Sequence, residues 1–224
     1  MIYSGLLKKH LSKLHLNEEI INKIIKKFII KVYKKEELFS ISGKNCNKLG
    51  FVINGIFCLY KEKENGNIMV IDLKKNNEFL LASFNPEEES KVTIKSLKNS
   101  IILEAKYSEI ITLFKKYPAL GELAKKDMES RVETIYSRLE SFSVNEAANR
   151  YNQFKADFAN IIDEIPQYLI ASYIGVTPTQ LSRIRKKIYN LLIKSTYVND
   201  ILLFLPYFIY KFKKGPENVI KSRK

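Results

Sequence analysis

The residues best suited to chemistry lie in one short stretch, Pro166 to Lys187, PQYLIASYIGVTPTQLSRIRKK. Its second half carries Thr179, Gln180, Ser182, Arg183, Arg185, Lys186 and Lys187, interleaved with Leu181, Ile184 and Ile188. Gln and Arg can make paired hydrogen bonds to base edges in the major groove of DNA, and hydroxyls and lysine suit phosphate oxygens. In a helix over 178–188, donors for bases stand near the start and cations for phosphates follow, the order expected of a helix entering the groove by its N-terminus. Arg183 is the first candidate for a base contact. Thr179 and Gln180 lie nearer the helix start, and Arg185, Lys186 and Lys187 are candidate phosphate clamps.

Two helices and a turn must position these groups. Ile170, Ala171, Ile174, Val176, Leu181, Ile184 and Ile188 recur at the three- and four-residue spacing of buried helix faces. Gly175 can take the positive φ needed to leave the first helix, and Ala171 is small enough for two helices to cross closely. Thr177 is a good N-cap, Pro178 suits the first helical position, and Gln180 completes a Thr-x-x-Gln capping box. Thr177 therefore joins the candidate DNA-binding residues. A basic run taken alone is more commonly a solvated face. Here alanine, glycine, cap and apolar spacing agree on a helix-turn-helix, and double-stranded DNA is the expected partner.

The chain of 224 residues is 46% hydrophobic and 12% aromatic, enough for two modest cores and incompatible with general disorder. Its formal charge of +14 is uneven, with eleven Lys or Arg from Ile165 onward against Asp200 and Glu217. That field alone would equally suit RNA or an anionic membrane surface. The start, MIYSGLLKKHLSKLHLNEE, lacks the apolar run of a signal peptide, so a cytoplasmic protein is expected. Cys46 and Cys58 are too few to hold a zinc ion or an iron–sulfur cluster by thiolates alone, and buried free thiols are expected. His10 and His15 are spaced off any common helix face and read as surface residues, so no metal site and no cofactor are expected. With no Gly-rich phosphate loop, no histidine beside a nucleophile and no acidic metal cluster, the chain does not read as an enzyme.

Asn17 with Glu18 and Glu19 marks the start of an Ile-rich helix to about Lys27. From Phe28 to about Glu104, short Ile-, Val-, Phe- and Tyr-rich segments alternate with turn signals, which predicts an antiparallel β domain. The clearest hairpin joins FCLYKEK to NIMVIDL through Asn65-Gly66, a pair that readily adopts the positive φ angles of a tight turn. Leu120, Ala124, Met128, Val132, Ile135, Leu139 and Phe142 then form one apolar seam on a helix over 118–142, suited to pairing with a second copy, with packing on the chain's own β domain as the alternative. A Ser143-x-x-Glu146 capping box puts a break and a hinge after Phe142 and divides the chain into domains 1–142 and 143–224. The tail YVNDILLFLPYFIYKFKKG is too short to span a bilayer, so no stable membrane insertion is expected. The tail is expected to dock on the DNA-binding domain or the dimer partner, while its segment 198–214 leaves a peripheral membrane module as the alternative, alongside a ligand-binding module without DNA activity.

With these parts in order, the chain resembles the Crp/Fnr family of bacterial transcription regulators. The resemblance runs from Val32 to Ile188, through YKKEELFSISGKNCNKLGFVINGIFCLYKE and, more specifically, Asn149-Arg150 and IASYIGVTPTQLSRIRKKI. It implies an α+β fold: an N-terminal antiparallel β-roll of the cyclic-nucleotide-binding type, a long dimerisation helix and a C-terminal all-α helix-turn-helix domain. It also implies a homodimer on an inverted repeat and RNA polymerase as a further partner. An unidentified small-molecule effector would sit near Leu81, Ser83, Lys91, Arg131, Ile135 and Tyr136. In the cassette NNEFLLASFNPEEESKVTIKSL, Leu81 and Ala82 replace the family's Gly-Glu pair and Ser90 or Lys91 its arginine. Glu87, Glu88 and Glu89 would repel an anion, so cyclic AMP is not the expected effector.

Overall fold

A computed structural model describes residues 2–13 and 16–191. His15 and the tail 198–214 lie outside the described residues. So do the side chains of Ala124 and Arg131. The chain divides into two units, Met1–Pro178 and Thr179–Lys224.

The first unit opens with α1 (Ile2–Ser12) and α2 (Glu18–Ile25), and the Asn17 side chain accepts a hydrogen bond from the Glu19 amide as its sequence predicts. Eight strands follow: β1 (Ile29–Tyr33), β2 (Leu38–Ser40), β3 (Lys48–Asn54), β4 (Phe57–Glu62), β5 (Ile68–Lys74), β6 (Phe79–Leu81), β7 (Thr93–Ser96) and β8 (Ser100–Lys106). They form two antiparallel four-stranded sheets, ordered β1-β8-β3-β6 and β2-β7-β4-β5. Side chains on a strand alternate between faces, so Val52 and Ile102 point between the sheets with Phe39, Phe57 and Ile94. Phe51, Ile53, Leu103 and Ala105 point the other way, under α1, α2 and α3 (Tyr107–Lys116). Covering both faces of the first sheet explains the unbroken apolar runs of β3 and β8.

Two local expectations change. The hairpin at Asn65-Gly66 is not a two-residue turn: only Gly66 has positive φ, at 74°, and the loop closes with the Gly66 amide donating to the Lys63 carbonyl and the Lys63 amide to that of Asn67. This is a type I turn followed by a bulge at a left-handed glycine, which leaves Asn65 in an ordinary conformation. His10 is not a plain surface residue either, for its ring packs on Phe51 and Phe79 at 5.3 and 5.4 Å. The buried Leu7 and Leu11 press α1 onto the sheet, and His10 shares their side of the helix.

Beyond the sheets, α4 runs from Pro118 to Val144, past the break expected after Phe142. The next helix, α5 (Ala147–Asp157), has Glu146 at its N-cap position, so the Ser143 capping box does not form and the break is at Asn145–Glu146. Ser143 continues the helix because its amide can still bond back along α4, and a capping preference yields to an uninterrupted ladder. A single 3-10 turn (Ile162–Glu164) leads to α6 (Gln167–Tyr173). Helix α7 spans 178–191 among the described residues.

Candidate functional site

The turn after α6 forms as its sequence requires. Gly175 has φ +71°, its amide donates to the Ser172 carbonyl, and the Val176 amide reaches back to that of Ala171. These two bonds are the Schellman pair that ends a helix at a left-handed glycine. A Cβ at Gly175 would lie 2.7 Å from the ring of Phe142. Leu169, Ile170, Ala171 and Ile174 are buried, so the apolar face read from the sequence is the inner face of α6.

Helix α7 begins at Pro178, which leaves Thr177 at the N-cap position. Leu181 is buried and Ile184 and Ile188 are half-buried, on one side at positions three and seven residues on. Thr179, Gln180, Ser182, Arg183, Arg185, Lys186 and Lys187 are all exposed. The helix thus presents cations and hydrogen-bonding groups with no intervening large apolar side chain on that face.

Among the described side chains, the expected effector residues are not gathered into one cavity. An open cleft of about 770 Å³ is lined by Ser42, Gly43, Lys61, Glu62, Glu88, Glu89, Ser90, Lys91 and Thr93, with Ile41 at its rim. Lys91 alone of the expected group lines it, whereas Ile135 and Tyr136 stand 66% and 68% exposed on α4. Leu81 belongs to the apolar cluster under the helices, and Ser83 holds the Asn85 amide at 3.2 Å. Ser90, buried at the arginine-like position, turns inward: its hydroxyl donates to the Val92 carbonyl at 2.5 Å. Three carboxylates and two ammonium groups face the cleft, a mixed lining that offers no guanidinium to a cyclic phosphate.

On α4 the seam is split. Leu120 is buried within the chain's own core beside Ile110 and Tyr117, so it is not available to a partner helix. Met128, Val132, Ile135, Leu139 and Phe142 are exposed, a row of large apolar side chains that water solvates poorly. Proximity to α3 explains the difference, because Leu120 lies only two residues into a helix that starts against it.

Sequence reasoning passed over two residues that join these parts. Arg138 of α4 donates to the carbonyls of Ile71 at 2.5 Å, Tyr173 at 2.9 Å and Val70 at 3.4 Å, and its guanidinium lies 3.8 Å from the centre of the Tyr173 ring. Ser172 of α6 accepts from the Val70 amide at 3.0 Å and donates to the Ile68 carbonyl at 2.8 Å. Arg150 of α5 completes the junction, reaching the Ile174 carbonyl at 2.8 Å and the Asn145 carbonyl at 2.5 Å. Burial pushes the Tyr173 hydroxyl up to about 12, with the nearby Arg138 charge acting in the opposite sense. Nothing local marks Ser172 or Arg138: their partners are 102 and 67 residues away in the chain.

Among the described residues, no group of three His, Cys, Asp or Glu side chains is placed for a metal ion, and no helix is long and apolar enough to cross a membrane. Cys46 and Cys58 are buried free thiols.

No protein-family model and no curated protein matches the sequence. Solved structures do match in fold. FixK2 from Bradyrhizobium japonicum superimposes with a TM-score of 0.67 at 12% identity, over 73% of this chain and 85% of that one. The c-di-GMP responsive global regulator CLP of Xanthomonas campestris gives 0.63 at 14%, over 78% and 92%. A Crp/Fnr-family protein from Eubacterium rectale gives 0.62 at 16%, over 78% and 84%. The β-roll, the long helix and the helix-turn-helix, in this order, give the chain the Crp/Fnr fold.

Proposed function

We propose that the protein is a DNA-binding transcription regulator of the Crp/Fnr type and not an enzyme. It acts in the cytoplasm as a homodimer that reads an inverted repeat through the helix at 178–188. The observation that carries this reading is the exposed face of α7, where Thr179, Gln180, Ser182, Arg183, Arg185, Lys186 and Lys187 follow a helix-ending glycine turn. The exposed apolar row of α4 supports pairing with a second copy, which would set two such helices one turn of DNA apart, ~34 Å. RNA polymerase and a small-molecule effector other than cyclic AMP belong to the same reading.

Selection of bound sequences from random duplex DNA at near-physiological salt, with the full chain, tests it. An enriched inverted repeat is the expected result. Binding without enrichment, together with capture by anionic vesicles that depends on residues 198–214, would replace it with a membrane-surface role.

A further inference from the structure

Strand β5 is the last strand of its sheet, and an edge strand leaves a row of main-chain donors and acceptors without a neighbour. Its pairing with β4 shifts register between Leu59 and Tyr60, because Leu59 faces Asp72 and Tyr60 faces Val70, with Ile71 left over as a bulge. Several outward groups at this place are taken by helical residues. Ser172 occupies the Val70 amide and the Ile68 carbonyl, as a neighbouring strand would, and Arg138 holds the carbonyl of the bulged Ile71.

We infer that the β5 edge is a releasable clasp for α6, closed by Ser172 and pinned by Arg138. Its bonds are made by one hydroxyl and one guanidinium to main-chain atoms, groups that water can replace, and the Arg138 Nε has no hydrogen-bond partner among the described residues. Polar contacts join the roll to this segment elsewhere too. Lys75 donates to the Asp157 carbonyl at 2.5 Å, and Lys98 pairs with Glu164 at 2.5 Å. Opening of these edge bonds would be local, with the sheets left intact. Because Arg138 also caps the Tyr173 carbonyl, release at β5 and fraying of the last turn of α6 are one event.

Amide hydrogen exchange on the full chain, resolved by residue, tests the clasp. Ser172→Ala should speed exchange at Val70 by about tenfold or more while Ile102 and Leu103 of β8 stay unchanged. Arg138→Met, which keeps the stem but removes the donors, should do the same, and Ser172→Thr should retain protection. Unchanged Val70 exchange in both variants overturns the clasp. Equal acceleration at Val70 and in β8 also overturns it, since the contact would then be part of the global fold. Failure of the wild-type chain to select any DNA sequence would remove the proposed function and leave the exchange result standing.

Discussion

Arg183 and Lys187 sit on the same exposed face yet should fail differently when removed. Arg183→Ala should cost about 1–3 kcal/mol at one base position and relax specificity there, whereas Lys187→Ala should weaken all sequences alike, as competition titrations with cognate and scrambled duplexes would show. Gly175→Ala forces a side chain into the left-handed region and against Phe142, and should lower stability by about 1–3 kcal/mol in urea unfolding. Burial pushes the Cys58 thiol up to about 12, so below that pH the folded chain keeps a proton that the unfolded chain loses from about 9 upward. Stability should therefore be unaffected by this group at pH 7 and fall as pH rises from 9 toward 12, with urea midpoints at pH 7 and 10 as the check. Gly175 and Pro178 were legible because each acts through its own backbone. Arg138, Ser172 and the packed ring of His10 were not, since their roles depend on strands far away in sequence.

At the level of elements, the two periodicities identify the β domain and the helices reliably, because burial on one face imposes them. Capping signals are weaker: Asn17 caps α2, but Ser143 lies inside α4, where the continuing helix outweighs a side-chain preference. On α4 Leu120 is buried in the chain's own core while the later apolar members are exposed, since an apolar row does not say which neighbour covers each member. The exposed members carry a prediction. Leu139→Glu changes a side chain that is 61% exposed in the single chain, so folding should shift by no more than about 0.5 kcal/mol. Dimerisation should nevertheless fail, as sedimentation velocity would reveal. An unchanged sedimentation coefficient would move the interface elsewhere.

For the molecule as a whole, the uneven charge should make any association with DNA strongly dependent on salt. If Arg185, Lys186 and Lys187 of two protomers engage roughly six phosphates, affinity should fall about a thousandfold between 50 and 200 mM salt, measurable by fluorescence anisotropy. A flat response would mean that few of these cations meet DNA. The order of parts along the chain could be read in advance; the cleft could not, because loops distant in sequence meet only when the sheets close. That closure also bears on synthesis. Among the described residues β8 is the only strand that pairs with β1, so Ile29, Ile30 and Val32 leave the ribosome without that partner until Ser100 and the residues after it have been made. The β4–β5 hairpin, whose strands are neighbours in the chain, can form much earlier. A nascent chain stalled before β8 would therefore hold one finished hairpin and an apolar strand open to aggregation or to a chaperone.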